Sequence, residues 1–206
     1  MRPRRLMSTA TTPFAWKDVY YTAQQHPKQT LNLAIPTMQF ARRRLPTCVF
    51  VHGGSWQRGD KAGLFNDGIE QAFVRAGCIG VSLNYRLSPE VKHPEHTRDV
   101  AMAMKWLMEN IEKYGGDPSG FVLIGHSAGA HLVMQLLANP DYLRECGVDE
   151  PVSRVVRGAV GISGVYNVVR IANASFYGPL VVGALRSHVT NSSQKTNDVG
   201  PRNAVE

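Results

Sequence analysis

Cysteine is scarce: the 206 residues hold three, Cys48, Cys78 and Cys146, in an odd count and with no C-x-x-C spacing. That excludes a disulfide framework and a cysteine-built zinc site, and it fits a reducing compartment. No segment reaches the roughly 18 consecutive apolar residues a membrane span needs. The basic start lacks the apolar stretch of a secretory signal, so a cytoplasmic protein is expected. Neither G-x-x-x-x-G-K-[ST] nor G-x-G-x-x-G occurs, which removes the usual phosphate cradles. H-E-x-x-H is missing too. His93-Pro94-Glu95-His96 lacks the spacing that puts two ligands on one helix face and reads instead as a helix start at Pro94, so no metal and no cofactor are expected.

Charge is also modest, at 19% of residues, with a formal net charge of +7 and a pI near 9.5. The basic excess is scattered apart from Arg2/Arg4/Arg5 and Arg42/Arg43/Arg44. Both clusters are short and carry no interleaved aromatics, so no nucleic-acid partner is expected; the second reads as a solvated loop before a buried strand. Met1 to Thr12 contains no acid, and residues 1–15 read as a disordered leader.

With 43% hydrophobic residues, one globular domain over residues 16–182 is expected. Asp18–Ala23 and Leu31–Ile35 are short β-prone runs flanking a polar segment, which predicts a hairpin. Thr47–Val51 is a continuous apolar run between Pro46 and Gly53, the mark of a strand buried on both faces. A helix from about Leu64 to Arg75 and a strand over Ile79–Leu83 follow. Val100, Met104, Leu107, Met108 and Ile111 then form one apolar helical stripe. Phe121–Ile124 reads as a strand, Ala128–Leu137 as a helix and Val155–Ile162 as a strand. This alternation predicts an α/β fold with a doubly wound, mostly parallel sheet. From Gly183 to Glu206 neither period persists, and residues 183–206 read as a disordered tail.

Two segments carry chemistry. Gly125-His126-Ser127-Ala128-Gly129 matches G-x-S-x-G, which alone should occur by chance in roughly one chain in fifteen of this length. Its context is what counts: it follows a buried strand and opens an amphipathic helix, as a nucleophile elbow requires. Ser127 would stand above the carboxyl edge of the sheet, with the Ala128 N–H aimed at the substrate oxygen. The second segment, His52-Gly53-Gly54-Ser55-Trp56, follows another buried strand. Its two glycines let backbone N–H groups approach a developing oxyanion.

These segments resemble the α/β-hydrolases carrying an HGG motif, in particular the kynurenine formamidase, prenylcysteine methylesterase and hormone-sensitive-lipase-like esterases. Asn84-Tyr85-Arg86-Leu87-Ser88-Pro89, Tyr114-Gly115-Gly116-Asp117-Pro118 and His131 add to the likeness, and Trp56 is similar to the HGGxW form of formamidases. The resemblance implies an α/β-hydrolase fold, Ser127 as nucleophile, and the N–H groups of Gly53, Gly54 and Ala128 as oxyanion donors. It implies a small-molecule ester or amide substrate, with carboxylic ester preferred over formamide.

In this fold the catalytic acid and histidine follow the serine. The histidines after Ser127 are His131 and His188. His131 sits one turn along the same helix, where its side chain is held away from the hydroxyl, and His188 falls in the tail. Asp141, Glu145, Asp149, Glu150 and Asp198 have no strand-end context. The expectation is a sheet lacking its last strands, a C-terminally truncated chain, and either a hydrolase completed in a longer form or a catalytically dead binding protein. Asn173-Ala174-Ser175 and Asn191-Ser192-Ser193 match the glycosylation pattern, but without a signal peptide they are read as unused.

Overall fold

Among the described residues six strands form a single sheet in the order β1-β2-β4-β3-β5-β6. The computed structural model describes residues 14–37, 44–63, 66, 68–174, 178–179 and 181–185. Residues 1–13 of the expected 1–15 leader, Arg42, Arg43, His188, Asp198 and the Asn191 motif lie outside the described residues, while Phe14 and Ala15 of that leader belong to the first strand.

The hairpin is there, with its first strand earlier than expected: β1 (Phe14–Tyr20) pairs antiparallel with β2 (Thr30–Pro36), Tyr20 opposite Thr30. The polar turn spares its residues from the ladder, and β2 then pairs antiparallel with β4 (Ile79–Leu83). From there the sheet is parallel. β3 (Leu45–Val51) lies between β4 and β5 (Gly116–His126), and β6 (Val156–Ile162) pairs with β5 on the far side.

Helices occupy the connections. α1 (Ile69–Arg75) precedes β4, and α2 (Glu95–Asn110) continues into a 3-10 turn at Ile111–Tyr114 before β5. Val100, Met104, Leu107 and Ile111 of the predicted stripe are at most 1% exposed, which is what a 3.6-residue apolar period delivers when it packs on a sheet. α3 (Ala128–Ala138) follows β5 directly. Three short helices had no signal in the apolar pattern: α4 (Asp141–Glu145), α5 (Val152–Val155) and α6 (Val168–Ala172). Each spans little more than one turn, too short for a period to register. Helical structure also reaches into the segment expected to be a tail: Gly183, Ala184 and Leu185 are helical, and Ala184 and Leu185 are buried.

The topology positions the site. β3 is followed in sequence by β4 on one side and by β5 on the other, so the order reverses at β3/β5. In open parallel sheets the crevice outside the carboxyl ends of the strands at such a reversal is where ligands bind. The two segments singled out for chemistry, His52–Trp56 and Gly125–Gly129, leave the sheet from those two strand ends.

Candidate active site

Ser127 bridges β5 and α3 with φ 52° and ψ −115°. This is a left-handed φ that a non-glycine residue adopts only where the surroundings force it, and it is the sharp strand-to-helix turn the pentapeptide predicted. Two bonds hold the turn: the Ser127 N–H donates to the Ile162 carbonyl at 2.8 Å, and the His131 N–H donates to the Ser127 carbonyl at 3.2 Å. The glycines on either side are required by close approach. A Cβ at Gly125 would lie 2.5 Å from Ala130 Cα, and one at Gly129 would lie 2.2 Å from the Val51 carbonyl oxygen. Ala128, 1% exposed, is the first residue of α3, where backbone N–H groups lack intrahelical partners and carry the positive end of the helix dipole.

The HGG loop abuts this elbow. The Cβ position of Gly53 is 3.1 Å from Ser127 Cβ and 2.9 Å from His126 Nδ1, so only a glycine leaves room there. Beyond it the backbone runs left-handed through three residues, Gly54 (φ 118°), Ser55 (φ 55°) and Trp56 (φ 59°). His52 braces the start of the loop. Its Nδ1–H donates to the Gly53 carbonyl at 2.7 Å, and its ring stacks on Tyr85 at 4.6 Å between centroids. The Tyr85 hydroxyl donates to the His52 carbonyl at 3.1 Å. Burial lowers the His52 pKa below the ordinary imidazole value, so the ring works as a neutral hydrogen-bonding brace.

A charge pair missed by motif reading fixes the wall behind the loop. Asp99, fully buried on α2, accepts from Arg86 Nε at 2.8 Å, Arg86 Nη2 at 2.7 Å, the Arg86 backbone N–H at 2.8 Å and Gln29 Nε2 at 2.7 Å. The sequence signal was the Asn84–Pro89 segment, whose role is now visible. Asn84 accepts from the Lys61 N–H at 2.6 Å and donates to Asp60 at 3.0 Å, while Arg86 locks onto α2.

Of the expected histidines, His131 is buried: Trp56 meets its ring edge-on at 5.3 Å, and His93 lies 6.4 Å away. His96 Nε2–H donates to Ser88 Oγ at 3.1 Å, and burial together with the nearby His131 and Arg86 lowers its pKa to about 4. His93 and His96 flank Pro94 at the start of α2 as the sequence implied. Asp141, Glu145 and Glu150 form ion pairs with Arg144, Arg98 and Arg154.

A cavity of about 430 Å³ opens beside Ser127. Ser127, Trp56 and Ala128 line it together with Val165, Ile171 and Val181. His126 is the one ionisable side chain among the described residues lining it. Sequence reasoning did not find Val165, Ile171 or Val181, because nothing local marks a residue that reaches the site only through the path of the chain after β6.

The BD-FAE family model matches residues 31–199. A kynurenine formamidase of Meyerozyma guilliermondii is 36% identical over 126 residues, 60% of this chain and 44% of that protein. Esterase LipQ of Mycobacterium tuberculosis is 36% identical over 132 residues, 64% of this chain and 31% of that protein. The chain therefore spans less than half the length of these curated relatives. Among solved structures, an inhibited esterase B from Lactobacillus rhamnosis superposes with a TM-score of 0.69 at 25% identity, covering 87% of this chain and 60% of that one. The mostly parallel sheet with flanking helices is the α/β-hydrolase fold.

Proposed function

The chain belongs to the BD-FAE family of α/β-hydrolases, and from that premise we propose that it is a serine hydrolase of carboxylic esters working through an acyl-enzyme on Ser127. The observation that carries the reading is the contact of the two loops, with Gly53 against the Ser127 side chain at the sheet's reversal point. Ser127 Oγ adds to the ester carbonyl as its proton passes to a base. The backbone N–H groups of Gly53, Gly54 and Ala128 receive the negative charge that develops on the carbonyl oxygen. Collapse of the tetrahedral species expels the alcohol with that proton and leaves the acyl group on Ser127; water then adds and releases the carboxylic acid. Each preorganised oxyanion donor is worth about 3 to 4 kcal/mol of barrier. The likeness to a kynurenine formamidase supports an arylformamidase-type variant in which an amine leaves.

One observation favours a second reading, a catalytically dead binding protein: among the described residues lining the cavity there is no carboxylate to orient a histidine. Three free thiols suit a cytoplasmic setting. A domain running from residue 16 to 182 belongs to the same proposal.

The test is labelling by a fluorophosphonate probe, read by intact mass, on the chain and on Ser127→Ala. Labelling that vanishes in the variant is the expected result. A cooperatively folded chain that stays unlabelled would assign the binding reading instead.

A further inference from the structure

Among the described residues, five that are not glycine hold a left-handed φ: Gln25, Ser55, Trp56, Ser127 and Ser163. All but Gln25 line the Ser127 cavity. Such backbone is costly, persists only when its surroundings enforce it, and gathers at functional sites. Ser127 takes this conformation as the turn between β5 and α3, and Ser55 and Trp56 take it in the glycine loop. Ser163, at φ 49°, belongs to neither.

The turn at Ser163 is enforced twice over. The carbonyl of the preceding Ile162 accepts from the Ser127 N–H at 2.8 Å, which ties the end of β6 to the nucleophile turn. The Tyr166 side chain lies so close to Gly161 and Gly164 that a Cβ on either would run into it. The outcome is an exposed serine just past the carboxyl end of β6, and no hydrogen bond ties its hydroxyl to another described residue. Its surroundings set what that hydroxyl can meet. Ala128, Val165, Ile171 and Val181 are apolar, and no Lys, Arg, Asp or Glu lines the cavity among the described residues. In a mostly apolar pocket a few placed polar groups fix the orientation of what binds. A serine hydroxyl in that setting suits an uncharged oxygen, which loses less on leaving water than an ion does.

We propose that Ser163 determines specificity by donating its hydroxyl to an ether or hydroxyl oxygen of the substrate, two or three bonds from the scissile carbonyl carbon. The spacing follows from the sheet. Neighbouring strands stand about 4.8 Å apart, and Ser127 and Ser163 leave the ends of the neighbouring strands β5 and β6, so an oxygen that near a carbonyl carbon held at Ser127 comes within reach of Ser163. The inference rests on the hydrolase reading for identifying the cavity as a substrate site. Within esters and amides it selects those with an oxygen on the first or second carbon beyond the carbonyl over purely hydrocarbon ones.

The test uses the full 206-residue chain and two isosteric pairs of unreactive amides, 2-methoxyacetamide with butanamide and 3-methoxypropanamide with pentanamide. Binding is followed through the Ser163 and Gly164 amide resonances in a 1H–15N spectrum. The expected result is that at least one ether binds about fivefold tighter than its hydrocarbon partner, the size of one net hydrogen bond. Ser163→Gly removes the hydroxyl and suits the left-handed φ, so it relieves strain rather than adding it. It should erase the preference while leaving the affinity for butanamide and pentanamide unchanged. If each ether binds no tighter than its partner, if none of the four binds, or if the preference survives in Ser163→Gly, the proposal is wrong. Because these amides are bound and not turned over, a chain that fails to label with fluorophosphonate yet shows the preference keeps this proposal and loses the hydrolase one. Labelling without the preference does the reverse.

Discussion

The two sides of the sheet that flank Ser127, one behind the His52–Trp56 loop and one along β6 and α6, are built on different principles. The wall on the β3, β4 and α2 side is dry and densely bonded: Tyr85 and Asp99 are fully buried, His52 is 1% exposed, and Arg86, Asn84 and Tyr85 each hydrogen-bond across elements. The wall on the β6 and α6 side is apolar and thinly covered. Val160, Ile162, Tyr166 and Val169 are each more than two-fifths exposed, and among the described residues β6 has a strand neighbour on one side only. Both β4 and β6 are strands of the parallel region, yet all five residues of β4 are buried and none of β6 is. A parallel strand is buried only when helices cover both faces and strands flank both edges. The difference teaches a division of labour. The His52–Trp56 loop is braced from the first side, while β6 holds the Ser127 N–H through the Ile162 carbonyl and the segment after β6 lines the cavity.

The sharpest way to break this contrast is to remove the anchor of the first wall. Asp99→Ala leaves the Arg86 guanidinium without its buried partner, and urea unfolding should record a loss of about 3 to 5 kcal/mol. A loss below about 1 kcal/mol would mean the pair is screened and the wall is not anchored there.

Acid should weaken the same wall somewhat less. His96 is held near pKa 4 in the folded chain against 6.5 for a free imidazole, so between those values the unfolded state binds the extra proton. Stability therefore falls as pH drops through that window, by about 3 kcal/mol in all, and this contribution levels off below it. The groups facing the ring fit this sign, with Arg86 and His131 opposing its protonation and only Glu95 favouring it. Urea midpoints measured at intervals from pH 7 to pH 4 test it; a slope that persists unchanged in His96→Gln would place its origin elsewhere, with His52 the next ring to replace.

The smallest effect belongs to the second wall. Val160→Thr on β6 keeps the β-branched shape at a residue 49% exposed, and its change in stability should stay within about 0.5 kcal/mol. A cost approaching that of a core substitution would show that β6 is covered in solution, and the contrast between the walls would then disappear.

How much of the site was legible in the sequence follows from how local each feature is. The sharp turn at Ser127 and the glycine loop at Gly53 and Gly54 that meets it could be read from the sequence because both are backbone devices. Gly125 and Gly129 have no room for a Cβ, and that steric fact is written directly as residue type at fixed spacing. The buried strands and the α2 stripe were equally plain, since apolar period is a one-dimensional signal. The start of β1 was missed by four residues because its exposed, aromatic residues offer no alternation, and α4 to α6 were missed because single turns have no period.

The sequence by itself thus determined the architecture and the two strand ends from which the Gly53 loop and the Ser127 turn leave the sheet, because local steric demands and hydrophobic period both act between near neighbours. Only the tertiary structure decided that Asp99 clamps Arg86 thirteen residues away, that Val165, Ile171 and Val181 line one cavity with Ser127, and that the Trp56 indole N–H is buried with no acceptor among the described residues. Those are properties of juxtaposition. Hydrogen-bond satisfaction and cavity shape depend on which distant groups the fold brings within a few ångströms, and residue type alone does not record that.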